Sequence, residues 1–573
     1  MSTINLACNA TTAKLIDAPR EAKLLVSSIL SYKVEGAEHM AAFKKNQWDG
    51  RSSFFEFRSG TFPAGFAHAV INELKRGGFA VNLVRKPLPK PLGPVEPVVD
   101  AFPKDPRYDY QDEAMNQLLR QGQMVAQVAT GGGKSRIAKL CYARIKRPTL
   151  FLTTRSVLMH QMKDAFEADM GITVGVMGDG EWKPSVGMNV GMVQTLAPYA
   201  ELKTAEKEIE RFLEAQHSKE QLQMDSARIK LKKDKADLKQ TNLVVAKLRK
   251  TQIEQRPSDK FLALRVEAKV KNHNARRDKV IKVLSIFEFV ILEEAHEAGG
   301  TGFYDLMRHC KSAHYRLSLT ATPFMRDGEE SNMRLMACSG PIGIKITEKL
   351  LIDRGILARP ILKYVPAKPP PFVLDKGGKA TGRKEYSRTT PWAKAYKAGI
   401  VNSEYRNAHI VQEAVRSAKH GLTSMVLIQH TAHGKALKDL MVKAHLRVEF
   451  IHGKHEQAQR KKALVDLASG SLDVLIGSTI LDVGVDVPAV GMIILAGGGK
   501  AEVSLRQRIG RGLRCKKSGP NICLVVDFED SYNSHLRDHA KQRKAIVTGT
   551  PGFVEGILAD NCDFNYKKLG IVA

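Results

Sequence analysis

The strongest constraint on this chain is the stretch Gln123–Arg136, where an apolar run leads into three consecutive glycines, a lysine and a serine. Together with Ile137–Arg144, which has a helical pattern, it predicts a strand, a tight loop and the first turn of a helix. Glycines let successive backbone N–H groups face an anion closely, and the helix dipole favours negative charge at that end. The stretch therefore predicts a phosphate-binding loop on an α/β sheet.

The side chains of this loop have separate expected roles. Lys134 is placed to reach the β- and γ-phosphates, and the hydroxyl of Ser135 is placed to bind Mg²⁺. The strict pattern has a glycine where this chain has Val128. The remaining loop residues are expected to face the phosphates: Thr130, Gly131, Gly132 and Gly133.

Length and charge limit the classes of protein to consider. A chain of 573 residues is too long for a single core and suggests about three to four domains. The 89 lysines and arginines against 60 aspartates and glutamates give a net charge of +29, which favours a polyanionic partner such as nucleic acid. An ordinary soluble protein with a basic surface stays open on charge alone.

The cysteines and the apolar runs indicate the compartment. The seven cysteines form no CxxC pair and are expected to be reduced thiols. No apolar run approaches the roughly 18 to 20 residues of a membrane span, and the N-terminus lacks the pattern of a secretory signal. We expect a cytoplasmic protein of a bacterial cell or a phage-infected host, without membrane contact.

Residues 1–86 are expected to form a small α+β domain. Its helix is predicted at Glu21–Leu30 and its strands at Phe54–Phe57 and Phe79–Val84. The turn Trp48–Arg51 contains Asp-Gly, and the tryptophan is expected to close a core. Prolines recur in Lys86–Pro97, so residues 87–104 are predicted to be an extended, semi-rigid linker.

The rest of the chain alternates strand and helix patterns in two halves, residues 105–345 and 346–573, separated by a hinge-like passage Gly340–Gly343. Such alternation predicts parallel sheets with helices on both faces and ligands at the carboxyl ends of the strands. Polar residues occur at two such ends, in Thr153–Arg155 and in Gln194–Thr195. Turn and capping residues are an equally good account of each pair alone.

A charged segment, residues 203–285, interrupts the first half. Glu201–Ser285 contains 22 basic and 13 acidic residues, a net charge of +9. Its proline, within Gln255–Asp259, predicts two helical arms, and an unbroken first arm of about 50 residues would reach ~75 Å. A solvated hairpin without a role is one account. A basic arm that grips DNA or a partner protein is favoured by the cations concentrated in the first arm: Lys232, Lys233, Lys235, Lys239, Lys247, Arg249 and Lys250.

Acidic and basic side chains complete the predicted nucleotide site. The apolar run Phe287–Leu292 ends in Glu293 and Glu294, which fits one acid on Mg²⁺ and the next beside an attacking water. In the second half, Gln507–Arg514 is predicted to be a helix with a row of arginines on about one face. A solvated face is the ordinary account of such a row, and arginine fingers for the γ-phosphate are the functional one.

In order and type, these elements resemble the motifs of superfamily 2 helicases. The segments that show this resemblance are Ala129–Ser135, the DEAH-like Glu293–His296 with glutamate in place of the first aspartate, Leu319–Pro323 and Gln507–Arg514. The resemblance implies two tandem RecA-like, doubly wound parallel-sheet domains, a substrate ATP and the cofactor Mg²⁺. At the nucleotide it implies these roles: Gln111 for adenine, Lys134 for phosphate, Ser135 and Glu293 for the metal, Glu294 and Gln507 for water, Arg511 and Arg514 as fingers, Gly484 and Asp486 for sensing nucleotide.

The same resemblance assigns residues that couple the site to a strand and hold that strand. Coupling falls to His296, Thr320 and Thr322. Contacts to the nucleic-acid backbone fall to Thr154, Arg155, Gln194, Thr195 and Thr479.

The N-terminal region carries a narrower resemblance. The turn Trp48–Arg51, an aromatic strand, Phe62–Phe66 and a helix resemble the small N-terminal domain of phage UvsW-type helicases, which is related to the damage-recognition domain of XPB-like helicases. This implies contact with duplex or branched DNA, with Lys44, Lys45 and Arg51 as phosphate partners.

The expected function is therefore an ATP-dependent DNA helicase or translocase that remodels branched or duplex DNA in recombination or repair. A monomer is favoured, but the sequence leaves the oligomeric state open. Three alternatives stay open: a duplex translocase of a restriction-type system, an RNA helicase, and a non-catalytic DNA-binding scaffold regulated by ATP.

Overall fold

The computed structural model describes residues 3–101, 104–233, 237–254, 256, 258–324, 328–374, 380–453, 455–478, 490–499, 502–516 and 519–571. Within them lie a small N-terminal α+β domain, two domains built on separate parallel sheets, and a helical insertion in the first of these. The predicted fold class is confirmed. None of the described helices is long and apolar enough to cross a bilayer.

The small domain is a four-stranded sheet of order β5-β2-β1-β6, in which β1 pairs antiparallel with β2 and parallel with β6. Helices α1 and α3 pack against it, because apolar residues recur on one face of each. Its elements are β1 (Thr3–Cys8), β2 (Thr12–Ile16), α1 (Arg20–Ile29), β3 (Ser31–Lys33), α2 (Ala41–Lys44), β4 (Arg51–Ser53), β5 (Thr61–Pro63), α3 (Ala67–Arg76) and β6 (Ala80–Arg85).

Two predictions for this domain are wrong in detail. The predicted strand Phe54–Phe57 lies just beyond β4, because Phe54 leaves the strand to pack its ring 5.6 Å from that of Tyr304 in the first α/β domain. Trp48 does not close a core. It is half-buried, and its Nε1 donates a hydrogen bond of 2.6 Å to the carbonyl of Arg51, so it fastens the turn.

The first α/β domain contains an eight-stranded sheet of order β10-β9-β11-β8-β12-β13-β7-β14, parallel except for β10. The inner strands are buried on both faces and read as continuous apolar runs. Its elements are α4 (Asp109–Gln121), β7 (Gln123–Val128), α5 (Lys134–Ile145), β8 (Thr149–Thr153), α6 (Ser156–Met170), β9 (Gly175–Gly178), β10 (Glu181–Lys183), β11 (Met188–Met192), α7 (Val193–Leu196), α8 (Ala205–Lys233), α9 (Leu238–Glu254), α10 (Asp259–Leu284), β12 (Phe289–Glu293), α11 (Thr301–His309), β13 (Tyr315–Thr320), α12 (Glu329–Ser339), β14 (Ile342–Ile346) and α13 (Glu348–Asp353).

The helical insertion extends less far than predicted, and its chain turns back at a different position. The expected unbroken arm of about 50 residues is wrong, since α8 ends at Lys233 and α9 runs back along it. Gln252 donates to the Glu220 carbonyl at 3.2 Å, and Arg256 forms an ion pair with Glu220 at 2.6 Å. The proline-containing stretch separates α9 from α10 on the returning arm instead of marking the turn. A 29-residue α8 reaches about 44 Å at 1.5 Å per residue.

The second α/β domain is a six-stranded, fully parallel sheet of order β15-β22-β21-β18-β20-β19. Its elements are β15 (Arg359–Pro366), β16 (Phe372–Leu374), β17 (Ala380–Lys384), α14 (Trp392–Tyr396), α15 (Glu404–Lys419), β18 (Ser424–Leu427), α16 (Thr431–Lys443), β19 (Val448–Ile451), α17 (Gln457–Ala468), β20 (Val474–Gly477), β21 (Met492–Ile494), α18 (Glu502–Gly512), β22 (Ile522–Glu529) and α19 (Ser534–Thr548).

The passage Gly340–Gly343 is not the hinge that the sequence predicted. It leads into β14, whose residues pair with β7 at the edge of the first sheet, and the Pro341 carbonyl accepts from the Val125 N–H at 2.7 Å. The chain passes to the second sheet later, between α13 and β15.

The small domain packs on α12 of the first α/β domain. The hydroxyl of Tyr32 donates to Glu330 at 3.1 Å, and the backbone N–H of Lys33 donates to Glu329 at 2.9 Å. Gly65 lies so close to α12 that a Cβ there would be 2.1 Å from the Met336 carbonyl oxygen. These contacts tie the small domain to the first α/β domain, which carries the glycine loop.

Candidate nucleotide and nucleic-acid site

The glycine loop joins β7 to α5 at the carboxyl edge of the first sheet, as the sequence predicted. Gly131 and Gly133 have φ values of +87° and +80°, a conformation that favours glycine, and Gly133 is the N-cap of α5. Lys134 is the first residue of that helix, followed by the exposed Ser135. The loop therefore presents backbone N–H groups, a lysine and a hydroxyl at a helix N-terminus, where phosphate binds favourably.

Gln111 on α4 is buried against this loop. Its Nε2 lies 3.4 Å from the Gly132 carbonyl, and its Oε1 accepts a 2.8 Å hydrogen bond from Arg136. Arg136 is held in turn by Asp100, at 2.8 Å. Both ends of the glutamine amide thus contact protein groups in this structure, and its proposed contact with adenine stays a prediction.

Glu293 ends β12 and is buried, 7% exposed. Burial, with a smaller contribution from the negative charge of Glu294, raises its pKa to about 7, and the positive charge of Lys134 opposes this rise. Its Oε2 has no hydrogen-bond partner among the described residues. A buried, unpartnered carboxylate oxygen near the phosphate lysine fits a hard divalent cation such as Mg²⁺, which prefers oxygen ligands.

The next acid is connected to the third element of the site. Glu294 has a left-handed backbone with φ +48°, which turns the chain sharply after β12. His296 Nδ1 lies 3.3 Å from both Glu294 Oε2 and Thr320 Oγ1. Thr320 Oγ1 also accepts from the Thr322 N–H at 3.2 Å. The predicted coupling residues therefore form one continuous chain of polar contacts.

Helix α18 of the second domain lies directly over the loop. A Cβ at Gly510 would be 2.8 Å from Thr130 Cβ, and one at Gly131 would be 2.7 Å from Leu357 Cδ2. Arg506 on α18 holds Glu348 on α13 with ion-pair contacts of 2.7 and 2.8 Å. The two halves thus meet at the phosphate loop.

The predicted arginine row is only partly present. Arg508 is buried and lines a small cavity with Arg543 and Gln429, and Gln507 is also buried. Arg514 is not on the helix. It is exposed, two residues beyond the end of α18, and its backbone bridges that of Leu357 beside the loop. Arg511 belongs to α18, but its side chain lies outside the described residues, as do Thr479, Gly484 and Asp486 altogether.

Three of the predicted strand-binding residues, Thr154, Arg155 and Gln194, line one cavity of about 460 Å³ at the carboxyl ends of β8 and β11. Gln194 Nε2 donates to the Thr154 carbonyl at 2.7 Å. Arg155 contacts Glu297 at 3.3 Å, and the Thr154 hydroxyl donates to the same carboxylate. Thr195 is half-buried on α7 beside Gln194.

The candidate cations of the small domain lie at its surface. Lys44 and Lys45 are exposed at the end of α2. Arg51 donates to the Ser31 carbonyl at 3.0 Å and lies 3.9 Å from Glu329. Arg51 is therefore partly engaged by groups within the protein. Lys44 and Lys45, by contrast, form no ion pair with any carboxylate that the structure describes.

Sequence reasoning missed four participants: Arg136, Glu297, Gly510 and Leu357. Arg136 follows Ser135 directly, so its position in the sequence already indicates that it lies near the phosphate loop. Glu297 and Gly510 lie beside or within segments that the resemblance singles out, but their contacts depend on the tertiary fold, and the local sequence of Leu357 gives no sign of its contact.

Two family models match the chain, in the order of its two sheets. The model described as type III restriction enzyme, res subunit, matches residues 105–325, and the helicase conserved C-terminal domain matches residues 406–516. Together they cover more than half of the chain and include the phosphate loop, the acidic box and helix α18. The chain belongs to the superfamily 2 helicases.

Individual relatives of this superfamily 2 helicase are distant. It is 23% identical over 291 residues to helicase 22 of Sulfolobus islandicus filamentous virus, covering 50% of each chain. It is 25% identical over 250 residues to the ATP-dependent DNA helicase uvsW of Enterobacteria phage T4, covering 43% of this chain and 47% of that one. The match thus spans about half the length of these relatives. The crystal structure of T4 UvsW aligns over 98% of this chain and 99% of that chain, with 16% identity and a TM-score of 0.41.

Proposed function

We propose that this protein is an ATP-dependent DNA helicase or translocase that remodels branched or duplex DNA. The observation that carries the proposal is the contact of Gly510 with Thr130, which places a helix of one α/β domain on the phosphate loop of the other. A nucleotide bound between two such domains can link hydrolysis to their relative movement. The basic surface and the similarity to uvsW support DNA as the track.

In this mechanism, the loop N–H groups and Lys134 hold the phosphates. Glu294 orients the attacking water, with Gln507 as a further polar group. Arg511 and Arg514 stabilise the charge that develops on the γ-phosphate. The polar chain from Glu294 through His296 to Thr320 carries the state of the nucleotide toward the strand-binding side. Thr154, Arg155, Gln194 and Thr195 hold the backbone phosphates of the strand.

Ser135 and Glu293 are the residues that would hold Mg²⁺, which neutralises phosphate charge when it is bound. The unpartnered oxygen of Glu293 fits this role, although the longer side chain replaces the aspartate typical of the family. Because its pKa is near 7, a substantial fraction of this carboxyl is neutral at physiological pH until a cation binds. Mg²⁺ binding and ionisation of Glu293 are therefore expected to be coupled.

One observation favours a second candidate, a duplex translocase without strand separation. The first half matches a family model described as a restriction enzyme subunit. Strand-displacement assays and triplex-displacement assays on the same protein separate the two activities. Displacement of a triplex without unwinding of a fork would support the translocase.

The decisive experiment measures ATP hydrolysis and unwinding on forked DNA, a four-way junction, single-stranded DNA and RNA. We expect hydrolysis stimulated by DNA and unwinding of branched substrates, both lost in Lys134→Ala. Stimulation by RNA alone would identify an RNA helicase. Hydrolysis that never exceeds the Lys134→Ala control would identify a non-catalytic scaffold.

A further inference from the structure

A cleft of about 870 Å³ separates the small domain from the first α/β domain. It is lined by the ends of β1 and β6, and on the motor side by Gln123, His314 and Pro341, which lie at the amino ends of β7, β13 and β14. The phosphate loop is at the carboxyl ends of the same sheet. This domain cleft is therefore remote from the nucleotide site, and nothing in the proposed motor cycle uses it.

The charges around the domain cleft are all of one sign. Lys14, Arg85, Lys86 and Arg120 line it, and no aspartate or glutamate is among its described lining residues. None of the four forms an ion pair with a carboxylate that the structure describes; Arg85 donates to the Gln121 carbonyl at 3.5 Å and Arg120 to the Gln117 side chain at 3.1 Å. An anionic ligand would meet cations that are not already neutralised.

The walls between these cations are aliphatic. Ile71, Leu83, Val84 and Leu88 line the domain cleft, and Leu83 and Val84 are 41% and 49% exposed. The aromatic rings among the described lining residues are the imidazoles of His68 and His314, and no phenylalanine, tyrosine or tryptophan offers a larger stacking surface for unpaired bases. Aliphatic side chains of a peptide fit such walls better than nucleobases do.

The sheet also offers a place for a peptide backbone. β6 is the outermost strand of its sheet, and no described strand pairs with its outer edge. An extended segment can add to such an edge through main-chain hydrogen bonds, while its side chains enter neighbouring pockets. The edge, the aliphatic walls and the unpaired cations occur together at residues 83–86.

We propose that the domain cleft binds an extended acidic segment of a partner protein, which pairs with β6 and places aliphatic side chains against Leu83 and Val84. Arg85 and Arg120 bind its carboxylates. Because α12 fixes the small domain to the motor, a partner bound here would be carried with the motor as it moves. The proposal concerns recruitment of a protein and does not depend on the direction or substrate of the motor.

The test uses the full-length protein and a fluorescently labelled peptide containing a run of aspartates followed by leucine and valine. Its binding is followed by fluorescence anisotropy, beside a peptide with asparagines in place of the aspartates and a labelled single-stranded oligonucleotide. The variants are Arg85→Glu/Arg120→Glu, Leu83→Ser, and Arg58→Glu as a single charge reversal at an exposed site of the small domain that does not line the cleft. Thermal melting and DNA-stimulated ATP hydrolysis verify that each variant is folded and working.

We expect the acidic peptide to bind more tightly than its asparagine counterpart. Arg85→Glu/Arg120→Glu should weaken it by about tenfold or more, and Leu83→Ser by about threefold or more, while Arg58→Glu and the hydrolysis rates stay near the parent values. Three results would overturn the proposal: no binding of the acidic peptide, equal weakening by Arg58→Glu, or an equal loss of oligonucleotide binding in Arg85→Glu/Arg120→Glu, which would assign the cleft to nucleic acid.

Discussion

The guanidinium of Arg155 lies 3.3 Å from the carboxylate of Glu297, which also accepts a hydrogen bond from the Thr154 hydroxyl. Arg155 and Thr154, the two residues that contact this carboxylate, are both proposed to hold the phosphates of a nucleic-acid strand. Glu297 follows directly after the DEAH-like box, one residue beyond His296. The carboxylate therefore lies where a backbone phosphate is expected to bind, and we expect a bound strand to displace it.

Replacing this carboxylate by an amide should favour the strand. We expect Glu297→Gln to bind single-stranded DNA about threefold to tenfold more tightly, a modest gain because Arg155 is 47% exposed and its ion pair is screened by solvent. Equilibrium binding without nucleotide measures the effect. An Arg155→Ala background is the control, since Glu297→Gln should gain little there. Equal gains in both backgrounds would contradict the competition.

Because α18 packs closely on the phosphate loop, we expect one added methyl group at Gly510 to slow ATP hydrolysis. Gly510→Ala would place a Cβ 2.8 Å from Thr130, so helix and loop must separate, and we expect the hydrolysis rate to fall by about tenfold or more. Steady-state ATP hydrolysis measures this. Gly187→Ala is the matched control, because its Cβ would make an ordinary 3.4 Å contact with Tyr142. Parent-like hydrolysis by Gly510→Ala would show that the contact is not needed.

Because the pKa of Glu293 is raised, we expect the free energy of unfolding to depend on pH. Its folded pKa, about 7, is raised above the ordinary value of 4.5, so this carboxyl costs no stability below pH 4.5 and an increasing amount as pH rises to 7. Without nucleotide or metal, Glu293→Gln should therefore gain stability relative to the parent between these values, by about 3 kcal/mol at most. Denaturant unfolding at pH 5 and pH 8 measures the difference. A gain independent of pH would contradict ionisation as its cause.

The same carboxyl predicts the pH dependence of metal binding. Mg²⁺ requires the ionised form, so in the parent the apparent affinity for Mg²⁺ in the presence of ATP should rise as pH increases through about 7. Glu293→Asp, which restores the family residue, offers the comparison. Titration of Mg²⁺ in the hydrolysis assay at pH 6 and pH 8 measures it, and a flat profile in the parent would exclude Glu293 as a ligand.

Shortening the helical insertion should separate hydrolysis from DNA affinity. Replacing residues 211–267 by a short turn removes the distal hairpin but keeps its base, where Asn274 bonds Lys203 and Arg276 lies 5.0 Å from the Tyr199 ring. We expect basal hydrolysis near the parent rate, weaker DNA binding and a smaller slope of log affinity against log salt, because basic residues that release counterions are lost. Unchanged binding across salt would point to a protein partner instead.

The sequence by itself determined the α/β class, the two parallel sheets and the positions of the loop and the acidic box. These features depend on local order: an apolar strand, glycines with left-handed backbone, and polar residues placed where a strand ends. Helix Arg20–Ile29 and strand Ala80–Arg85 lie within a residue or two of their predicted bounds for the same reason.

Only the tertiary structure decided the contacts between distant segments. Four features depend on which surfaces meet, and local propensity does not encode that choice. They are the turn of the insertion hairpin, the edge strand Ile342–Ile346 where a hinge was predicted, the ring packing of Phe54 and the place of Arg514 beyond α18. Likewise, Glu297 lies among the predicted strand-binding residues because β8 and β12 are neighbours in the sheet, although more than 140 positions separate it from Thr154 in the chain. The neighbours of these residues are therefore set by strand pairing and side-chain burial between segments that are far apart in the sequence.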